Sequence, residues 1–190
     1  MKKKQKRMIK WSLVSIVSLC LLFLFVLFGR GNSEQQKGSE EAFIASLAPT
    51  AQRLQRIYHI LPSISLAQAC LESQFGQSEL ARTYHNLYGV KGDQWGQSVN
   101  LKTQEYENGV WKTIDARFRV YPSNRASMRD HAKLLAKGTN YNASQYIKVI
   151  QATNYREAAL ALQEAGYATD PTYAQKLIQL IEEYQLYQYD

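Results

Sequence analysis

Residues 62–76 read Pro-Ser-Ile-Ser-Leu-Ala-Gln-Ala-Cys-Leu-Glu-Ser-Gln-Phe-Gly, and no other stretch restricts the fold of this chain as strongly. Wound into a helix at about 100° per residue, Ile64, Leu66, Ala67, Ala69, Cys70 and Leu71 project in nearly every direction and leave no face for water. Such a helix is buried all round, so the remainder of the chain has to wrap it. Ser63 is suited to cap its start and Gly76 to stop it, with Phe75 one turn beyond Glu72 on the same side. Glu72 is the only acidic residue in the run. A carboxyl group held against apolar walls loses the hydration of its charged form, which raises its pKa toward the range where it donates a proton near neutral pH. That is the profile of a glycosidase general acid. A buried structural glutamate paired with an arginine, or a carboxylate emerging at the helix end, fits the same pattern.

The formal charge of +7 invites a nucleic-acid reading, but its distribution argues against one. Lys2, Lys3, Lys4, Lys6, Arg7, Lys10 and Arg30 take seven of the 23 basic residues, leaving 16 basic against 16 acidic residues from Gly31 onward. No basic stripe with interleaved aromatics remains to track phosphates. Residues 11–28 form an uncharged run of 18, rich in Leu, Val, Phe and Ile, which suits a slightly short transmembrane helix. With the basic cluster before it, the positive-inside rule keeps residues 1–10 in the cytoplasm and sends the rest of the chain outside. A cleavable signal peptide is the competing reading. Its apolar core is ordinarily shorter, and Phe28-Gly29-Arg30-Gly31 makes a poor cleavage site. The chain thus divides into a cytoplasmic basic segment (1–10), an anchor (11–28), a short polar linker (29–38) and one domain (39–190).

Cys70 is the only cysteine outside the anchor, so the domain has no internal disulfide and must be stable by packing. Ser39 with Glu40 and Glu41 starts a helix through Leu47, and Pro49 begins a second one carrying Leu54, Ile57, Tyr58 and Leu61. A short helix is expected over 78–83. Ser123 caps a longer one through Lys137, closed by Gly138, and two more follow over 141–150 and 154–164. Asp170 and Pro171 open the last, with Leu177, Ile178, Leu180 and Ile181 on its apolar face.

Residues 99–120 are the one clear β segment. Asn108-Gly109 signals a two-residue type I′ turn, which sets Glu107 opposite Val110, Tyr106 opposite Trp111 and Glu105 opposite Lys112. Thr103, Glu105 and Glu107 then share a face. Before the hairpin, Asn86-Leu-Tyr-Gly-Val-Lys-Gly has two glycines that permit tight backbone geometry, and Asn86 offers an amide able to hold either a loop or a sugar acetamido group. No His/Cys/carboxylate spacing suggests a metal, and no cofactor is expected.

Leu66-Ala-Gln-Ala-Cys-Leu-Glu-Ser-Gln-Phe-Gly-Gln-Ser-Glu-Leu-Ala followed by Asn86-Leu-Tyr-Gly-Val-Lys-Gly resembles the bacterial endo-β-N-acetylglucosaminidases of glycoside hydrolase family 73, which are peptidoglycan hydrolases. The likeness continues through the hairpin, Tyr121-Pro-Ser, Asp130-His131-Ala and Ala165-Gly-Tyr-Ala-Thr-Asp-Pro-Thr-Tyr-Ala. It implies a mainly α, lysozyme-like α+β fold: a helical bundle around a buried catalytic helix, with one small β-hairpin lobe. It also implies Glu72 as catalytic acid, the residue that the buried-helix argument reached separately. Glu105 becomes the candidate second carboxylate, in a lobe overhanging the cleft; its plain alternative is a cross-strand ion pair with Lys112. Tyr167 and Tyr173 read on their own as core aromatics; with the resemblance they are taken as exposed on a cleft-side loop, where they suit stacking against sugar rings. With Asn86 they are the expected substrate contacts, while Asp130 and His131 are expected to anchor helix to hairpin. The implied activity is cleavage of the β-1,4 bond between N-acetylglucosamine and N-acetylmuramic acid, with peptidoglycan glycan strands and the membrane as partners and no nucleic acid. The alternatives are a muramidase or lytic transglycosylase, and a catalytically silent wall-binding protein.

Overall fold

The computed structural model describes residues 31–92, 97–107 and 110–190. Helix α2, Pro62–Ser73, is buried at every position but Leu71, as its all-round apolar pattern requires. Around it are packed α1 (Gly31–Tyr58), α6 (Tyr155–Glu164), α7 (Tyr173–Glu183) and a 3₁₀ turn (Leu186–Tyr189). Helix α3 (Glu79–Tyr84) follows α2, while α4 (Asn124–Lys137) leans on α1 and α5 (Ile147–Gln151) joins α4 to α6. Strands β1 (Ser98–Glu107) and β2 (Val110–Arg119) pair antiparallel in a sheet of two. The fold is therefore mainly α with a single hairpin lobe, the expected class.

The hairpin register agrees with a two-residue connection: Glu107 faces Val110, Tyr106 faces Trp111 and Glu105 faces Lys112. The turn itself, Asn108-Gly109, lies outside the described residues. So do residues 1–30, with the expected cytoplasmic segment and membrane anchor. Among the described residues no helix is long and apolar enough to cross a membrane.

Several boundaries differ from the expected ones. Residues 31–38, expected as a flexible linker, are helical, and α1 runs unbroken through Pro49. Ile44, Leu47, Ala48, Ala51 and Leu54 bury one continuous stripe across the proline, and that packing outweighs the hydrogen bond Pro49 cannot donate. Extending a helix already nucleated is cheap, and the Gln, Glu and Lys residues of 34–37 oppose it little. Ser63 is not the N-cap of α2. Leu61 holds that place with Pro62 in the first turn, and both the Ser63 amide and its hydroxyl donate to the Asp190 carboxylate, each at 2.8 Å. An acceptor from the far end of the domain thus satisfies a donor that the helix start leaves open. Ser123 and Asn154 do cap α4 and α6, accepting from Ala126 N and Glu157 N. Helix α7 starts at Tyr173 rather than Pro171, because Asp170 spends one oxygen on the amide and hydroxyl of Thr172 and the other on Lys176.

Helix α2 stops at Ser73, one residue past Glu72, and Phe75 leaves the helix instead of continuing its face. Gln74, Phe75 and Gly76 all have positive φ, at 54°, 53° and 77°. Gln74 and Phe75 cap Cys70 O, while Gly76 N donates to Ser73 Oγ at 2.7 Å. Phe75 then turns against Tyr184, with ring centroids 5.2 Å apart. A Cβ on Gly76 would sit 2.6 Å from the Phe43 ring. Gly76→Ala is accordingly expected to lower stability by about 2 kcal/mol, from the left-handed backbone and the ring contact together. A denaturation cycle with Phe43→Ala checks this: only the contact share should vanish in the double variant.

Candidate active site

Glu72 sits on the last turn of α2 and is 4% exposed. Its Oε1 accepts a hydrogen bond from the Tyr173 hydroxyl at 2.9 Å, and that hydroxyl accepts in turn from Gln68 Nε2 at 3.0 Å. Gln68 lies one turn before Glu72, so both side chains leave α2 on one side and meet α7 there. Tyr173 is wholly buried, and its ring stacks on Tyr167 at 5.5 Å and 21°. Tyr167 presents an edge to His131 and shares a 3.0 Å hydrogen bond with its Nε2. His131 lies flat against Tyr88, at 3.8 Å and 4°, and the Tyr88 hydroxyl donates to Ser65 O. The series returns to α2, forming a closed circuit of side chains from five chain segments.

Burial dominates the proton affinities of this circuit. It holds Tyr88, Tyr167 and Tyr173 well above the ordinary phenol range, and the nearby charge of Glu72 raises Tyr167 and Tyr173 further. Burial also pushes the His131 imidazole down to about 3, so it is neutral at working pH. All four rings are therefore fixed as uncharged donors or acceptors beside the acid.

Tyr167 and Tyr173 are expected as exposed sugar contacts, and the structure corrects that placement: both are 0% exposed. The turn 166–172 carries them inward, with Tyr167 N bonded to Leu162 O and Tyr173 N to Asp170 O. Tyr173 touches the acid itself, and Tyr167 supports Tyr173 by stacking. Asn86 takes the loop-holding role of its two. It is 1% exposed, donates both amide protons to Val90 O and Arg119 O at 2.9 Å, and accepts from Val90 N at 3.0 Å. Those bonds tie the 86–90 loop to the root of β2, where Lys91 also bridges Phe118. Asp130 anchors helix to hairpin as expected, binding Arg119 Nη1 and accepting from the Tyr121 hydroxyl, both at 2.7 Å. His131, its neighbour, faces the other way into the aromatic circuit. Glu105 is opposite Lys112 in the ladder, and the course of its side chain lies outside what is described. Gln68, Tyr88 and His131 are the members of the site whose contacts sequence reasoning missed. The i, i+4 spacing of Gln68 and Glu72 was the available signal. Among the described residues no group of three His, Cys, Asp or Glu side chains gathers to hold a metal ion.

Residues 48–186 match the family described as mannosyl-glycoprotein endo-beta-N-acetylglucosaminidase (Glucosaminidase). The exo-glucosaminidase LytG of Bacillus subtilis is 47% identical over 195 aligned positions, covering 100% of this chain and 69% of that protein. A probable N-acetylmuramidase of Lactococcus lactis subsp. cremoris is 44% identical over 80% of this chain, which spans only 35% of that relative. Among solved structures, the catalytic domain of the autolysin Auto from Listeria monocytogenes superposes with a TM-score of 0.74 at 38% identity, covering 87% of this chain and 99% of that one.

The neutral, buried His131 carries a pH dependence of known sign. Its folded pKa lies below the unfolded value of 6.5, so the unfolded chain binds more protons between pH 6.5 and about 3, and stability falls as pH drops through that window. From pH 6.5 to 5 this amounts to about 2 kcal/mol. In His131→Phe the loss of stability over those pH units, followed by denaturant titration, should be smaller by that amount whatever the variant's stability at pH 7.

Proposed function

The chain belongs to the glucosaminidase family, and from that premise we propose that it is an endo-β-N-acetylglucosaminidase that cleaves the β-1,4 bond following N-acetylglucosamine, with Glu72 as general acid. Its place among glycoside hydrolases and its peptidoglycan substrate follow from the family and its relatives. The observation that carries the role of Glu72 is a carboxyl group buried at the end of an apolar helix, with one oxygen held by a phenol that is itself locked in place.

Glu72, protonated, gives its proton to the glycosidic oxygen as the C–O bond breaks and the bonding pair passes to that oxygen. The carboxylate left behind is met by the Tyr173 hydroxyl, a charge-assisted hydrogen bond stronger than the one the neutral acid accepts. For the other half of the reaction, Glu105 removes a proton from the water that adds to the anomeric carbon. In its place, the oxygen of the substrate's acetamido group adds first and water opens the resulting ring, with Glu72 as base. Thr103, two positions before Glu105 on β1, is buried, which supports giving the inward face of the hairpin to the odd-numbered positions.

The relatives' names differ on the bond and the mode of attack, so the products decide. A muramidase is the second reading, favoured by the Lactococcus relative. Digestion of purified peptidoglycan should yield N-acetylglucosamine at the new reducing ends and, early on, long fragments. N-acetylmuramic acid ends would assign a muramidase, and single sugars from the outset an exo-acting enzyme. Glu72→Gln should lower the rate by at least about 10³-fold with an unchanged melting temperature.

Residues 1–10 and 11–28 act as cytoplasmic segment and membrane anchor in this proposal, placing the catalytic domain against the wall side of the membrane. The charge pattern of residues 1–10 and the uncharged run of 18 that follows it support it. The full chain should be released from membranes by detergent and not by high salt; release by salt alone would overturn the anchor.

A further inference from the structure

Gln68 is the one fully buried side chain of α2 whose amide is satisfied at only one end. It is 0% exposed, its Nε2 donates to the Tyr173 hydroxyl at 3.0 Å, and its Oε1 has no hydrogen-bond partner among the described residues. A buried acceptor left unmade costs about 1–3 kcal/mol, so this orientation needs a reason. Reversing the amide would leave the NH₂ in the same dry place, so the bare end does not choose between the two orientations. The Tyr173 end does. A phenol has one proton to donate. With Gln68 donating to its oxygen, Tyr173 directs that proton to Glu72; with the amide reversed, Gln68 Oε1 would take the proton and turn it away from the acid.

We propose that Gln68 is a positioning residue for the reaction: by donating to Tyr173 it commits the only phenolic proton to Glu72 and so stabilises the carboxylate that forms as Glu72 protonates the leaving sugar. The inference rests on the assignment of Glu72 as general acid. Two hydrogen bonds in series polarise one another, so the outer bond strengthens the inner one as charge develops. The described rings and thiol near Glu72 stay uncharged in the working range. Tyr173 from α7, Tyr167 from the 166–172 turn, Tyr88 from the 86–90 loop and Cys70 on α2 are all shifted upward by burial, and Tyr146 is pushed up to about 12. His131 from α4 is neutral.

The test is the pH profile of the full-length enzyme on peptidoglycan. Gln68→Met keeps the side chain's length and removes its donor. Its alkaline limb, which marks loss of the proton from the general acid, should move up by about half a pH unit, with kcat about threefold lower and KM unchanged. In a Tyr173→Phe background the same replacement should move the limb no further. A limb that stays in place, or a shift that persists without the phenol, overturns the proposal. Should Gln68→Met fail to fold, the side-chain amide resonances of Gln68 in the unaltered protein decide. They should shift with the midpoint of the alkaline limb and stay flat in Glu72→Gln; flat resonances in the unaltered protein overturn the inference. An active Glu72→Gln variant would remove the general-acid assignment itself, a failure distinct from an unmoved limb in Gln68→Met.

Discussion

The hydrogen bond from Tyr173 to Glu72 is the contact on which the architecture of the site depends. It joins the buried helix to α7 across the interior, and each partner is held by something else: Glu72 by the end of α2, Tyr173 by Gln68 and by the Tyr167 ring. A single bond of this kind to the neutral acid contributes about 0.5–1.5 kcal/mol, too little to fix a geometry by itself. Its precision comes from the circuit Tyr173, Tyr167, His131, Tyr88 and Ser65, which leaves α2 and returns to it. With no disulfide, the domain uses interlocked aromatic rings to register its segments on one helix.

The hairpin is held at its root by a different device. Asn86 fills its amide bonds with the 86–90 loop and Arg119 O, and Asp130 of α4 gathers Arg119 and Tyr121. Both clusters act where β2 meets the helical body, so the outer part of the hairpin projects from a rigid base.

Much of this was legible in the sequence because the strongest signals were local. The burial of α2 with Glu72 at its end, the capping serine of α4 and the register of the hairpin all follow from spacing and side-chain chemistry along a few residues. What was hidden depended on distant partners. Tyr167 and Tyr173 are placed on the surface by the family resemblance, whereas their own chemistry makes core aromatics the default; α2 and His131 opposite them hold the rings inside. Pro49 reads as a break because its missing donor is local, whereas the apolar stripe that carries α1 through it needs α2 and α4 to pack against. Ser63 reads as a cap because nothing nearby announces that Asp190 will supply the acceptor.

The continuation of α1 through residues 31–38 bears on how the domain is presented. Residues 34–39 project exposed before the packed stripe begins, so these six residues form a stiff stalk of roughly 9 Å. A rope of the same length would let the domain face any direction within its radius. On the proposed anchor, a rod fixes the distance and converts freedom of position into freedom of angle, so the strands within reach are set by how the stalk tilts.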